Sequence, residues 1–258
     1  MAPRVLVLRA PGTNCDRESA FAFEQAGAQT QFAHNQQLLE EPQLVAGAQI
    51  LCFPGGFSYG DDIASGRILS VQLRHHLRDV LEEFKAAGKL MLGICNGFQI
   101  LIKAGVLLAD VAPGEQAATL TLNDSGKFED RWVQLNVTSN KCVFLQGIEQ
   151  MYLPVAHAEG KFVPRDADTL AALEQNGQVV LRYARLDGQP GEPSYPDCPN
   201  GATGAIAGVC DPTGRVLGLM PHPERHIDPT QHPRWTREPA REFGDGWKIF
   251  DNAVKYFQ

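Results

Sequence analysis

Three short apolar runs punctuate the first hundred residues, and the way each of them ends constrains the fold more than any other feature. Val5 to Leu8, Gln49 to Phe53 and Lys89 to Ile94 have the length and composition of buried strands, and Thr30 to Ala33 reads as a further strand between the first two. Helical patterns lie between them. Asp16 to Ala26 carries Ala20, Phe21, Phe23 and Ala26 and closes on Gly27. Leu38 to Val45 is a weaker helix interrupted by Pro42. Leu69 to Ala87 puts Leu69, Leu73, Leu77, Val80, Leu81 and Phe84 on one stripe and closes on Gly88. Strands alternating with helices imply right-handed βαβ units and a parallel sheet. Sites in such sheets lie beyond the carboxyl ends of the strands. Pro11-Gly12-Thr13-Asn14, Pro54-Gly55-Gly56 and Cys95 all stand at those ends.

The last of these junctions carries the chemistry. In Gly93-Ile94-Cys95-Asn96-Gly97 a continuous apolar run gives way to Phe98, Leu101 and Ile102 at helical spacing. The pattern is strand, tight turn, helix, with a thiol at the turn, which is the arrangement of a nucleophile elbow. Gly93 and Gly97 remove side chains where strand and helix approach. The positive end of a helix dipole favours negative charge on a group placed there. An isolated G-x-C-x-G is equally compatible with an inert buried cysteine, so the rest of the chain must decide.

The second half is richer in strands. Thr119 to Leu122, Trp132 to Val137, Met151 to Leu153, Lys161 to Val163 and Gln178 to Tyr183 read as strands, with a brief helix at Leu170 to Glu174. Asp187 to Gly204 reads as loop, and Ile206 to Cys210 with Val216 to Met220 as a hairpin. An amphipathic helix carries Trp247, Phe250, Val254 and Phe257. No repeat or linker interrupts the chain, so a single domain over 1–258 is expected. The formal net charge of -7, with no compensating Lys/Arg cluster evident in the sequence, argues against a nucleic-acid surface. Six scattered cysteines without a C-x-x-C fit reduced thiols and a cytoplasmic protein. No run approaches membrane-spanning length.

A thiol nucleophile needs a base, and histidine has the suitable pKa. Of the seven histidines, His75 and His76 fall within a helix, and His34 and His232 have no evident partner. His222 follows a strand between Pro221 and Pro223, with Glu224 two residues on. In an extended segment residues i and i+2 share a side, so Glu224 is placed to orient the imidazole. For the oxyanion, the backbone N–H groups of Asn96 and Gly56 are the candidates. Gln99, one turn after Cys95, shares its helical face and is a candidate for substrate contact. His222 and His226 are four apart, but the prolines deny them the helix of an H-E-x-x-H site, and Cys15 with Asp16 has no further ligand at metal spacing. No metal site and no P-loop are expected.

Together these residues resemble the class I glutamine amidotransferases, whose signature is a G-x-C-x-G elbow with a later H-x-E. The blocks Pro11 to Asp16, Pro54 to Asp62, Gly93 to Gln99 and Met220 to Arg225 sharpen the likeness toward the branch that supplies ammonia to a purine-pathway synthetase. The resemblance implies a single-domain, flavodoxin-like α/β fold, with a mostly parallel central sheet flanked by helices and extra strands in the second half. It implies Cys95 as nucleophile, His222 as acid/base and Glu224 as its orienting partner. Gly55, Phe57, Gln99 and His157 fall on the glutamine side, with His157 equally assignable to a subunit contact. It further implies glutamine as substrate, no cofactor in this chain, and ATP and Mg on a large synthetase partner, with a small bridging subunit. Ala158 stands where the family often has Gly, and segments 110–131 and 228–246 match nothing in the family pattern. An amidotransferase serving GMP synthesis and a non-catalytic regulatory subunit are the alternatives.

Overall fold

The computed structural model describes every residue except Pro113, which lies in the unmatched 110–131 segment. The strands are β1 (Arg4–Arg9), β2 (Gln29–His34), β3 (Ile50–Phe53), β4 (Leu90–Ile94), β5 (Ala118–Thr121), β6 (Glu129–Val137), β7 (Gln150–His157), β8 (Lys161–Pro164), β9 (Val179–Ala184), β10 (Ile206–Cys210) and β11 (Val216–Leu219). The helices are α1 (Asp16–Gln25), α2 (Asn35–Glu40), α3 (Arg67–Gln72), α4 (Arg78–Ala86), α5 (Asn96–Lys103), α6 (Ala167–Gln175) and α7 (Trp247–Lys255).

Nine strands form one sheet in the order β2-β1-β3-β4-β11-β10-β9-β6-β7, and β5 pairs with β8 apart from it. β2, β1, β3, β4 and β11 run parallel. From β10 outward each pairing is antiparallel. The central part is thus the expected parallel sheet, and the extra strands of the second half extend it from β11 with reversed direction. β3, β4, β10 and β11 are buried along their whole length, which is why they read as unbroken apolar runs.

Three local differences from the expectation have physical causes. The predicted helix at Leu38 to Val45 is two pieces, α2 and a 3₁₀ turn at Pro42–Gly47, because Pro42 cannot continue the hydrogen-bond ladder. The long helix at Leu69 to Ala87 contains a π-turn at Leu73–Leu77 between α3 and α4, which leaves Leu69, Leu73, Leu77, Leu81 and Phe84 all in the core. β6 and β7 are longer than the apolar runs suggest, since their polar residues occupy faces that are only partly covered.

β11 is the strand that matters for function. Its insertion beside β4, with Leu219 opposite Ile94, brings the segment after residue 219 to the segment after residue 94. Behind β4 and β11, Gly218 leaves room for the Phe98 ring, which stacks on Phe162 at 6.4 Å.

The same economy of volume fixes α5. A Cβ on Gly97 would collide with the Phe53 carbonyl, and one on Gly93 would meet the Gly97 carbonyl oxygen at 2.8 Å. Gly97→Ala is therefore expected to push α5 off the sheet and cost about 1–3 kcal/mol of stability. Urea unfolding followed by circular dichroism measures it, and an unchanged midpoint would contradict this packing.

Candidate active site

Cys95 sits at the junction of β4 and α5 with φ 51° and ψ -105°, a backbone conformation that side-chain-bearing residues rarely adopt. Strain of this kind persists only where the surroundings hold it. Here the Cys95 N–H donates to Leu219 O at 2.8 Å, and Gln99 N–H donates back to Cys95 O at 3.1 Å. The thiol is turned toward the end of β7, where Ala156 O lies 3.7 Å from Sγ.

His222 arrives three residues after β11, anchored by its N–H to Pro154 O at 2.8 Å. Its Nδ1 lies 2.6 Å from Glu224 Oε1, and both residues are buried. The expected pairing is present, but the local geometry differs from the extended one. Pro223–Arg225 is a turn of 3₁₀ helix, and that turn, not strand alternation, folds Glu224 back onto the imidazole. His222 Nε2 has no hydrogen-bond partner among the described residues. Burial works to lower the His222 pKa, but the Glu224 carboxylate and the Cys95 thiol beside it hold it well above the ordinary value. With Nδ1–H committed to Glu224, Nε2 is the atom free to exchange a proton.

The Gly55-Gly56 turn completes the cleft. Gly56 has φ 139°, and a Cβ there would press on Asn14 N and Gly12 O. A Cβ on Gly55 would lie 2.8 Å from His222 Cε1 and 3.1 Å from Cys15 Sγ, so the absence of that side chain lets the histidine pack flat against the loop. The loop is tied to the elbow through Asn96, whose Oδ1 accepts from Ser58 N–H at 3.2 Å. Asn96 Nδ2 donates to Asp61 Oδ1 at 3.2 Å and to Gln99 Oε1 at 2.9 Å. The Gly56 and Asn96 N–H groups donate to no acceptor among the described residues.

Not every expected site residue faces the cleft in the expected way. Gln99 is buried and spends its amide internally, with Nε2 donating to Glu159 O at 2.7 Å. It braces the elbow helix. Phe57 is partly exposed at the loop rim, 6.4 Å from Phe128. His157, at the end of β7, is buried with Nδ1 at 3.1 Å from Asn123 Oδ1, an oxygen that also accepts Gly160 N–H. His157 Nε2 has no partner among the described residues. Burial, helped by the nearby charge of His222, lowers the His157 pKa to about 4, so the ring is neutral at neutral pH.

One residue of the cluster was weighed from sequence only as a metal ligand and not as a neighbour of His222. Cys15, just before α1, places Sγ 4.0 Å from His222 Nδ1 and 3.2 Å from the Arg225 guanidinium. Its position beyond β1, at the same sheet edge as Gly55 and Cys95, was the available signal. Ligand atoms of Cys15, His222 and Glu224 lie within 4.8 Å of one another, a spacing a cation can bridge. The Arg225 cation against Sγ and the Nδ1–H committed to Glu224 favour a hydrogen-bonded relay instead. Burial raises the Cys15 thiol pKa against the pull of His222 and Arg225, which disfavours the thiolate at that position.

A strained thiol on a strand-helix elbow, a Glu-paired histidine and a glycine turn with free N–H groups define a thiol amidohydrolase site. The comparisons agree. A family profile for the CobB/CobQ-like glutamine amidotransferase domain matches residues 2–257, and the chain belongs to that family. Within it, the full-length likeness is to PurQ subunits of phosphoribosylformylglycinamidine synthase. That of Dehalococcoides mccartyi is 47% identical over 254 residues, covering 98% of this chain and 97% of the relative. That of Methanococcus maripaludis is 41% identical over 268 residues, covering 100% and 98%. A chain of the PurLQS structure from Thermotoga maritima superposes with a TM-score of 0.73 at 32% identity, over 100% of both chains. A putative GMP synthase subunit from Thermoplasma acidophilum shares the fold, with a TM-score of 0.61, at 13% identity over 99% of this chain and 94% of that one.

The buried histidines make stability depend on pH. His157 takes up its proton near pH 6.5 when unfolded but only at about 4 when folded, so its contribution is present above 6.5 and lost as pH falls toward 4. His226, also lowered by burial, acts in the same sense. His222, raised in the fold, gains stabilisation as pH falls to about 6.5 and contributes fully below that, so it is level where His157 and His226 lose theirs. The urea midpoint is expected to fall between pH 6 and pH 4, and to fall less in His157→Gln. An equal fall in the variant would remove His157 as a cause.

Proposed function

We propose that this chain is the glutaminase subunit of a phosphoribosylformylglycinamidine synthase, hydrolysing glutamine and supplying the ammonia to a synthetase partner. The observation that carries the reading is the His222 imidazole, fixed by Glu224 at 2.6 Å with Nε2 unengaged, on the segment that β11 delivers to Cys95. Full-length identity of 41–47% with PurQ subunits supports the choice of pathway. The alternative of an amidotransferase for GMP synthesis has only a shared fold behind it.

In this mechanism Cys95 Sγ attacks the amide carbon of glutamine as its proton moves to His222 Nε2. The Gly56 and Asn96 N–H groups donate to the oxygen that becomes negative. His222 then returns the proton to the departing nitrogen, ammonia leaves, and a thioester remains on Cys95. Water, deprotonated by the same Nε2, attacks the thioester, and the collapse frees glutamate and restores the thiol. Glu224 keeps the imidazole in the productive tautomer and stabilises the imidazolium. Gly55, Phe57 and His157 line the glutamine side, while Gln99 holds Asn96 in place.

The name of the Thermotoga structure, PurLQS, supports assembly of this chain with a large synthetase subunit and a small third subunit. ATP and Mg would be bound by the large subunit, and this chain would need no cofactor of its own. The described residues contain no helix long and apolar enough to cross a membrane, in keeping with a cytoplasmic complex. The product of the partner would be formylglycinamidine ribonucleotide, on the route to IMP.

Two variants test the chemistry. Cys95→Ala is expected to abolish glutamine-dependent turnover of the reconstituted complex by at least a thousandfold while ammonium salts still support product formation. Glutamine use retained by that variant would refute the mechanism. Gly55→Ala is expected to lower kcat by tenfold or more with the urea midpoint little changed, because its Cβ displaces the His222 ring. Full activity would show that the flat packing is dispensable.

A further inference from the structure

A groove beside α3, α4 and the last turn of α5 carries charge that the glutaminase reaction does not use. It encloses about 580 Å³ and is lined by Arg67, Arg74, His75, Arg78 and Lys103, with no acidic side chain among its lining residues. Arg74 is ion-paired with Asp110. Arg67, His75 and Arg78 are exposed and have no acidic partner within 4 Å among the described residues. On a chain of net charge -7, exposed arginines gathered in one groove without acidic partners make a local surface that attracts anions.

The dimensions say what kind of anion. Arg67 on α3, Arg74 in the π-turn and Arg78 at the start of α4 all line this one groove. At 1.5 Å per residue the row is about 16 Å long. A single phosphate spans a few ångströms, whereas a short acidic stretch of polypeptide matches a row of that length.

The floor of the groove leads to the active site. Lys103 is buried, its ammonium on Ser65 O and 4.0 Å from Glu159 Oε2. Glu159 accepts Ser65 N–H at 3.2 Å, and Ser65 Oγ donates to Asp61 Oδ2 at 2.9 Å. Asp61 accepts from Asn96, Asn96 donates to Gln99, and Gln99 donates to Glu159 O. This is a closed ring of hydrogen bonds with Lys103 beneath it and Asn96, the neighbour of the nucleophile, on its upper side. Asn96 also holds Ser58, in the loop that presents Gly56.

We propose that the α3–α4 groove is a docking site for an acidic segment of the synthetase partner, and that docking sets the Gly55–Asp61 loop through Lys103 and the ring. The proposal rests on the glutaminase reading above and adds to it where the partner binds and how binding reaches the oxyanion donors. An acidic segment laid along Arg67 and Arg78 shifts the electrostatic balance at Lys103. The ring joins Lys103 to Asn96 and Asp61 through an unbroken series of hydrogen bonds, so a shift at Lys103 has a route to both. Attraction through exposed arginines also makes association sensitive to salt.

The test uses the full chain and its reconstituted synthetase complex. The double variant Arg67→Glu/Arg78→Glu is expected to weaken association at least tenfold at physiological salt. Its glutamine hydrolysis in the presence of partner is expected to fall to the rate of the isolated chain, which itself stays unchanged. Association within twofold of the parent would overturn the docking site. Saturable binding of inorganic phosphate or tripolyphosphate to the isolated parent chain, with partner association untouched in the double variant, would overturn it in favour of a small-anion site. Lys103→Gln is expected to bind partner within a few-fold and lose the stimulation, and stimulation retained in that variant would overturn the coupling. Failure of the glutaminase reading looks different: the parent complex would neither hydrolyse glutamine nor be labelled on Cys95 by a glutamine-mimicking electrophile.

Discussion

How deeply α5 lies against the ends of β3 and β4 determines nearly everything around Cys95. The helix begins immediately after the strand, so the turn has no residue to spare, and Cys95 must take a left-handed φ of 51°. Strain of this type costs on the order of 1–3 kcal/mol. It is held by the strand pairing of β11, by the Leu219 carbonyl under the Cys95 N–H, and by the Asn96 side chain stitching the turn to the neighbouring loop. The thiol is left facing the cleft, and the first helical N–H is left without an acceptor.

The middle of the parallel half, β3, β4 and β11, was legible because strands buried on both faces have no choice but to be apolar throughout, whereas β2 is a largely exposed edge strand. The Cys95 elbow was legible for the same reason: two periodicities meet there with a glycine on each side. The antiparallel half was only partly so. Its strands could be placed and β10–β11 read as a hairpin, but no local signal states that β11 joins β4, or that β9 lies between β10 and β6. The His222–Glu224 pair was found by a spacing rule whose geometry does not apply, since the residues sit on a 3₁₀ turn. Their proximity survived because His222 stands just before the turn, with φ -102° and ψ 89°, and the turn brings Glu224 back to it. His232 shows the opposite failure. It read as partnerless, yet its ring lies 5.0 Å from Trp132 and 5.8 Å from His226, and the Trp132 contact joins segments a hundred residues apart that no local pattern encodes. Cys15 was not read as a neighbour of His222 because its partners also come from far along the chain.

Two thiols share one histidine, and their surroundings divide the labour. Cys15 lies on the Nδ1 side with Arg225 and Glu224, behind the imidazole as seen from the cleft. Cys95 lies toward the open end of β7. Burial raises Cys15 and keeps it a packing group that fills the space Gly55 vacates. The geometry thus uses one cysteine to steady the base and another to react, with no need for the two to differ in distance from the sheet.

The place of β11 in the sheet has a consequence for the order of events as the chain is made. Cys95 leaves the ribosome directly after β1, β2, β3 and β4. The strand that carries His222 into register emerges more than a hundred residues later, at least several seconds of synthesis at roughly 5–20 residues per second. Until β11 slots between β4 and β10, the elbow has neither its base nor the Leu219 carbonyl that holds its strained turn. The nascent protein therefore cannot be armed prematurely, and a chain truncated before residue 216 carries a thiol with nothing to activate it.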